Sequence, residues 1–567
     1  MNLFRKMLII LAISISAVML PMTASADEPA GGEHQHLRSL TGVIPWESKE
    51  GIPFCGRFYC SECASGYYDT LTPDDIGMPI INITGSLQGI TKEKKNTIHI
   101  TYMSGDVNFE SDATIKWQGA SSVMYPKKNY SIQFIKSSGS KNKVAIVSDW
   151  GKQSKYCLKA NYIDFSQSRN IVSGRIYNEI VHSRDIDDEL SALPNGGVVD
   201  GFPVALYLNG QYQGLYTLNI PKDKWMFGMK DETLRQALLF GDTWTESVMM
   251  REPILDVNNV GDSGWEIEYC STEDDPEVGT AWAAESMNEL IGFVNTNDGA
   301  AFREGIGQYM DVDRAIDVML YTYFIHANDN VGKNIIWATY DGKRWIPSVY
   351  DMDGTWGMFW DGSLTMPSRD FAPGADNMVF KRLLDNYPDE IKARYVQLRE
   401  RILTKSNLHS HFETFFSGIC RQMYNAEKYK WRNVPNNDVD QMEQIYQYIE
   451  ERVGYFDSCY GVEEQEYQEP VKAPAKPVIS KLTPGKKKLT VRMKKKPAAA
   501  GASKYQIAYR LKGTSKWKTV TTGKQNCVIR KLKKGKKYQV RVRSYKAADG
   551  LTLKSGWTKV RTSGAVR

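Results

Sequence analysis

The chain has 567 residues, 24% of them charged, and a formal net charge of +6. That length exceeds one ordinary hydrophobic core and suggests about three domains. No segment beyond the N-terminus approaches the roughly 20 apolar residues of a bilayer crossing, which argues against a spanning protein. The net charge hides a division. Residues 471–567 hold 29 of the 72 Lys and Arg but only one of the 66 acidic residues, Asp549, so a basic module is joined to an acidic body.

In chain order, Arg5 and Lys6 precede an apolar run over 7–19 and the small triplet Ala24-Ser25-Ala26. This is the pattern of a secretory signal peptide, residues 1–26, cut before Asp27, and it predicts a secreted or cell-surface protein. Residues 27–77 read as an irregular, Gly-rich segment carrying Cys55, Cys60 and Cys63. In an exported chain disulfides are the first expectation for such cysteines, ahead of a zinc site that lacks its second Cys pair.

The main domain is read as residues 78–460. PIINITG, TIHITYM, ATIKWQG and NYSIQF are strand-like, a helix is predicted over 168–182, and VALYLNGQYQGLYTLNI reads as a hairpin turning at Asn209-Gly210. Helical patterns follow over 281–294, 312–326, 378–404, 408–429 and 439–456. The fold class is therefore α+β, with a β-rich first part and an α-rich second part. A polar, Pro-containing linker over 461–476 leads to short strand-like runs in 477–567, the pattern of a small all-β sandwich. Within it LKKGKKYQVRVRSYK resembles the late strands of a fibronectin type III domain. Tyr538 is placed like that fold's corner tyrosine, although Met493 stands where such domains often carry Trp.

The chemistry concentrates in HANDNVGKNIIWATYDGKRWIPSVYDMDG, residues 326–354. Asp341-Gly342 predicts a two-residue hairpin turn that pairs Tyr340 with Lys343. That register sets Asn334 opposite Val349, Gly332 opposite Asp351 and Asn330 opposite Asp353, and so gathers Asp329, Asn334, Asp351 and Asp353 at the open end. Carboxylates that close raise one another's pKa unless a cation or strong donors offset them. Carboxylate and amide oxygens suit Mg²⁺ or Mn²⁺ together with phosphate oxygens. The interval from Asp329 to Asn334, then a hairpin and a further Asp, matches the catalytic segment of protein kinases. Asp-x-Asp alone also occurs in metal-dependent glycosyltransferases and in calcium loops.

With IKWQGASSVMYPKKNYSIQF, CLKANYIDFSQSRNIVSGRIYNEI, VALYLNGQYQGLYTLNI and this catalytic segment in order, the chain resembles the spore coat protein H (CotH) kinase family. The resemblance implies an atypical protein-kinase-like fold, ATP with Mg²⁺ or Mn²⁺ as cofactors, and phosphoryl transfer to Ser or Thr of a protein. It implies Asp329 as the catalytic Asp, and Asn334 and Asp351 as metal ligands with Asp353 as the accessory one. Lys128 is the candidate phosphate-binding lysine and Lys127 its rival, while Arg169 and Asn170 either contact the nucleotide or cap the following helix. One departure stands out: where the family often has an acid after GLY-x-L, this chain has Asn219-Ile220-Pro221-Lys222.

Competing readings remain. ATP is scarce outside the cytoplasm, so a catalytically silent kinase-like surface protein, or a carbohydrate-associated one, is the alternative. A glycoside hydrolase with Trp337, Trp345, Trp356 and Trp360 as sugar platforms is disfavoured, because Asp351 and Asp353 sit too close for a separated acid and base. His326 reads as structural, and His409 and His411 as surface residues. The basic module has no recognisable nucleic-acid fold motif; it is expected to hold an anionic envelope polymer or the acidic body itself, with a solvated basic spacer as the alternative.

Overall fold

The structure is a computed structural model that describes residues 38–45, 51–105, 107–186, 188–230, 235–371, 377–438, 441–463, 474–494, 504–514, 517–548, 551–555 and 557–567. The expected signal peptide and most of the expected linker lie outside the described residues.

The segment before the main domain is ordered rather than irregular. β1 (Ser39–Val43), β2 (Cys55–Cys60) and β3 (Ser65–Thr70) form an antiparallel sheet. CGRFYC alternates inward and outward, but its inward set is Gly56, Phe58 and Cys60 rather than β-branched residues, which disguised the strand. Phe58 is fully buried and stacks on Tyr67 with centroids 5.6 Å apart. Elsewhere Cys157, Cys270, Cys420, Cys459 and Cys527 are free thiols.

After the short α1 (Pro73–Ile76), seven strands close into a barrel. These are β4 (Ile80–Thr84), β5 (Asn96–Met103), β6 (Asn108–Gln118), β7 (Asn129–Ile135), β8 (Lys155–Lys159), β9 (Gly201–Leu208) and β10 (Gln211–Asn219), in the order β10-β8-β7-β6-β5-β4-β9. Only the β4–β9 contact is parallel, and it closes the ring. Asn209 (φ 50°) and Gly210 (φ 79°) make the predicted turn between β9 and β10 with both residues left-handed. α2 (Arg169–Val181) sits between β8 and β9 in sequence and buries Ile171, Ile176 and Ile180.

The second half is built on a four-stranded sheet in the order β12-β11-β13-β14, from β11 (Ala237–Gly241), β12 (Trp265–Cys270), β13 (Ile335–Thr339) and β14 (Trp345–Val349). The helices of this half are α3 (Ala281–Thr296), α4 (Gly299–Gly305), α5 (Val312–Phe324), α6 (Met378–Asn386), α7 (Pro388–Arg399), α8 (Lys405–Phe416), α9 (Arg421–Lys430) and α10 (Gln441–Tyr460); α5 packs on β14, whereas α9 reaches back to β1 and β10. The single helix expected over 378–404 is two, because Pro388 cannot continue a helix and instead opens the next one at its first position. The pattern over 408–429 likewise divides, with 417–420 between α8 and α9.

The hairpin register differs from the prediction by one residue. Ile335 pairs with Val349 and Thr339 with Trp345, leaving 340–344 as a five-residue loop. Asp341 causes this: its Oδ1 accepts from the backbone N–H of Lys343 (2.8 Å) and Arg344 (2.9 Å), an Asx-type turn that widens the loop.

One hydrophobic cluster runs from Val43 to Phe456, and a separate one from Ile479 to Val566. The latter lies in a two-sheet sandwich. One sheet is β15 (Ile479–Gly485), β16 (Lys488–Met493) and β19 (Asn526–Arg530); the other is β17 (Lys504–Leu511), β18 (Lys518–Thr522), β20 (Tyr538–Ala548), β21 (Leu551–Lys554) and β22 (Arg561–Thr562). Tyr538 acts as a corner, its hydroxyl accepting from the Lys533 backbone N–H at 2.9 Å, and Met493 is buried where a Trp was the alternative.

Candidate functional site

A cavity of about 660 Å³ opens between barrel strands β6 to β8 and the second sheet. That volume is in the range of small-molecule and cofactor sites. Asp329, Asn334, Asp351 and Asp353 all line it, so the four polar residues singled out in the sequence are brought together. The backbone achieves this despite the shifted register. Asn334 (φ 60°) and Asp351 (φ 51°) both leave their strands in the left-handed region, which turns their side chains out of the sheet. Asn330, fully buried, staples the two strand ends by donating to the carbonyls of Tyr350 (2.8 Å) and Asn334 (3.2 Å).

Asp329 lies in a 3₁₀ turn, Asn328–Val331, directly after α5, and is partly exposed with Lys333 Nζ at 3.1 Å. Gly332 after the turn lets the Trp244 ring lie against the backbone, since a Cβ there would stand 1.9 Å from the ring and displace it. Asn334 donates to the Asp351 carbonyl at 3.5 Å, which leaves its amide oxygen available to the cavity. Asp353 has its carboxyl pushed up to about 8, first by burial and then by Asp351 and Asp329.

The lysine that answers these carboxylates is neither of the two predicted from the sequence. Lys159, at the end of β8, holds its Nζ 3.3 Å from Asp351 Oδ1 and is almost buried. Burial works against its charge, but the negative groups around it, Asp351 foremost and Asp353 among them, together outweigh burial and hold its pKa above the ordinary lysine value. Lys128 does not line the cavity; it donates to the Val123 carbonyl at 2.6 Å and stands over Trp117. Lys127 is buried and donates to Glu427 Oε1 (2.6 Å), Ala160 O (2.8 Å) and Leu215 O, so its charge is consumed inside the protein. Position in the strand decides this: 127 and 129 face inward and 128 does not. The sequence signal for Lys159 was the alternation of YCLK in β8, in a block already noted for its family resemblance.

Arg169 and Asn170 also stay off the cavity wall. Arg169 is wholly buried, paired with Asp164 at 2.6 Å and donating to the Thr355 carbonyl and to Gln441 and Gln444. Asn170 Oδ1 accepts from the Met352 backbone N–H at 3.2 Å. Both therefore brace the loop that carries Asp351 and Asp353, and Ser168 takes the helix N-cap position. Trp337, Trp345 and Trp356 are buried in the core, which removes them as sugar platforms; Trp360 is exposed at the cavity rim. His326 is buried, and burial with Arg452 nearby pulls its pKa down to about 4, as befits a structural, neutral ring.

Two further features were not foreseen. Gln118, Gly119, Ala120, Ser121 and Ser122 line the cavity as a tight loop in which Gly119 (φ 107°) is required, since a Cβ would meet Ser122 Oγ at 2.0 Å. Lys222, which stands in the segment where an acid was the family norm, bridges Glu266 (3.0 Å) and Glu268 (2.5 Å) and sits 3.3 Å over the Phe240 ring. Glu268 is pushed up to about 7, first by burial and then by Glu266, with Lys222 opposing. The second sheet thus returns carboxylates to the wall where the hairpin lost one.

Among the described residues no three His, Cys, Asp or Glu side chains converge into a ready-made metal cage. The donor set is one amide oxygen and two carboxylates, all hard ligands facing open space. That fits Mg²⁺ or Mn²⁺ in the mode that takes one or two carboxylates and completes its shell with phosphate oxygens. The wall as a whole carries six lysines and six carboxylates, an ionic lining suited to a ligand that brings both signs.

An α+β body with a β-barrel, a helical half and an ionic cavity walled by both is the class of protein these features define. A family model described as CotH kinase protein matches residues 115–456, more than half of the chain, and the chain belongs to the CotH kinase family. Comparison with curated proteins gives no match. Among solved structures, one titled "Myokine structure" is 15% identical, covering 17% of this chain and all of that one, with a TM-score of 0.15. The fn3 domain of human collagen alpha-1(XX) is 18% identical over 18% of this chain and 94% of its own, with a TM-score of 0.13. Neither score fixes the fold of this chain.

Proposed function

We propose that the protein is an exported, metal-dependent kinase that transfers the γ-phosphoryl group of ATP to Ser or Thr of a protein. The observation that carries this reading is the convergence of Asp329, Asn334 and Asp351 with Lys159 on one nucleotide-sized cavity in a member of the CotH kinase family. Asp329 would accept the proton of the acceptor hydroxyl as its oxygen bonds to phosphorus and ADP leaves. Lys159 would exchange part of its contact with Asp351 for a phosphate oxygen, acting as a point charge. The Gln118 to Ser122 loop would cover the phosphates, and Lys333 keeps counter-charge beside Asp329. When bound, a divalent cation on Asn334 and Asp351 would neutralise charge developing on the transferred group.

The test is thermal unfolding with ATP and Mg²⁺ or Mn²⁺. Stabilisation that disappears in Asp351→Ala supports the proposal. No shift at saturating nucleotide, with Asp351→Ala as stable as the wild type, favours the silent surface protein instead. The sandwich, proposed as a fibronectin type III-like module, is assigned an anionic envelope polymer as its partner on charge alone: 29 basic residues against one acid in 471–567.

A further inference from the structure

Lys127, set aside above as a phosphate ligand, has a place in the site of a different kind. It is buried in the company of Glu427 from α9, and the pair is enclosed by backbone groups, the Tyr212 hydroxyl and the Tyr216 ring. Glu427 Oε2 accepts from the Leu215 N–H at 2.7 Å, while Lys127 Nζ reaches the Leu215 and Ala160 carbonyls. Gly214 (φ 141°) makes room, since a Cβ there would stand 2.9 Å from both Glu427 Oε2 and Lys127 Cε.

Ala160 is the residue after Lys159. Its carbonyl is held by Lys127 at 2.8 Å and its N–H by Asn129 Oδ1 at 2.7 Å, so side chains two apart in one segment grip both polar groups of one residue. On the other side of that grip, a small polar cavity of about 40 Å³ is lined by Lys127, Asn129, Lys159, Asp351 and Asp353. The pair therefore stands one residue and one small cavity away from the carboxylates, and α9 belongs to the helical half.

We infer that the buried Lys127–Glu427 pair is a positioning device: it fixes the end of β8 so that Lys159 faces Asp351, and it couples the seat of α9 to the geometry of the cavity. This rests on the functional reading given above, with Lys127 and Glu427 as positioning residues and Lys159 as the group that meets phosphate. A pair serving only cohesion could be exchanged for uncharged groups with little consequence, since such exchanges are often neutral for stability. A positioning pair could not, because an apolar side chain at 127 does not reproduce the donation to Ala160.

The experiment compares the full chain with the double variant Lys127→Met/Glu427→Gln, in which the amide introduced at position 427 keeps an acceptor for Leu215 and no charge is stranded. The readout is the acylation rate of Lys159, followed by mass spectrometry of the intact folded protein. In the wild type Lys159 should be protected, its ammonium held by Asp351. In the double variant the end of β8 is no longer gripped and Lys159 swings from Asp351 into the open cavity, so its rate should rise about tenfold, while exposed Lys343 labels unchanged. If the double variant does not fold, Asn129→Ala removes the other half of the grip without touching a charge and is expected to raise the rate in the same way. Unchanged Lys159 labelling in a folded double variant, or in Asn129→Ala where that variant decides, overturns the inference. Labelling requires no phosphoryl transfer, so failure of the kinase reading, seen as absence of ATP binding by the wild type, is a separate result.

Discussion

Lys159→Met removes the cation that faces Asp351 and leaves Asp329, Asp351 and Asp353 on one wall. At the observed 3.3 Å, an effective dielectric of about 20 gives an attraction of about 5 kcal/mol for the pair. Lys159 regains hydration only in the unfolded chain and Asp351 is a third exposed, so the net loss is smaller, about 2–3 kcal/mol. Methionine keeps most of the aliphatic volume, which limits any packing term. The assay is urea unfolding with and without Mn²⁺. Because the stranded carboxylates attract a divalent cation more strongly once the lysine is gone, Mn²⁺ should stabilise Lys159→Met more than the wild type, while ATP affinity falls. A variant within about 0.5 kcal/mol of the wild type, the size of an ordinary surface substitution, with no extra response to Mn²⁺, would refute the assignment of Lys159 as the counter-charge.

The other expectations follow from the same geometry. Asp353 is held near 8 when folded and titrates near 4 when unfolded, so its contribution to stability is full below about pH 4 and is lost as pH rises through 8. Stability measured without metal should therefore fall over that window by up to about 1.4 kcal/mol per pH unit, and Asp353→Asn should flatten the profile. Arg169→Met strands Asp164 in the interior beside α2 and should cost about 3–5 kcal/mol in equilibrium unfolding, with weaker metal–nucleotide binding as the Thr355 carbonyl loses its donor. Tyr538→Phe leaves the Lys533 N–H without its acceptor and should lower sandwich stability by about 1–2 kcal/mol, read by calorimetry. Binding of the whole protein to anionic cell-wall material should weaken steeply with added salt; equal retention at low and high salt would count against an electrostatic partner.

The catalytic segment was legible because its information is local. Asp329, Asn334, Asp351 and Asp353 lie on either side of one hairpin, and any antiparallel pairing of β13 with β14 brings them to the same end, even with the register one residue off. The lysine was not legible in this way. Choosing among Lys127, Lys128 and Lys159 depends on which side of a barrel strand faces the second sheet, and closure of that barrel rests on the parallel β4–β9 contact between segments more than a hundred residues apart. Lys127 and Arg169 sit in family-like blocks for the same reason that made them look functional: each organises many partners, but from within the core. The three-stranded N-terminal sheet was missed because Cys and Gly occupy its inward positions, and β11 because a short apolar run does not declare its period; β12 does alternate, as Trp265-Glu266-Ile267-Glu268-Tyr269, and was legible in principle.

The central claim is that this cavity seats a metal–nucleotide complex between Lys159 and the Asn334–Asp351 pair. A crystal soaked with Mn²⁺ and a non-hydrolysable ATP analogue, with anomalous scattering recorded at the manganese edge, tests it most directly. The account predicts a manganese peak within coordinating distance, about 2.0–2.3 Å, of Asn334 Oδ1 and an Asp351 carboxylate oxygen, with a phosphate oxygen on Lys159. An anomalous peak elsewhere, or a cavity that stays free of metal and nucleotide at saturating concentrations of both, would contradict it.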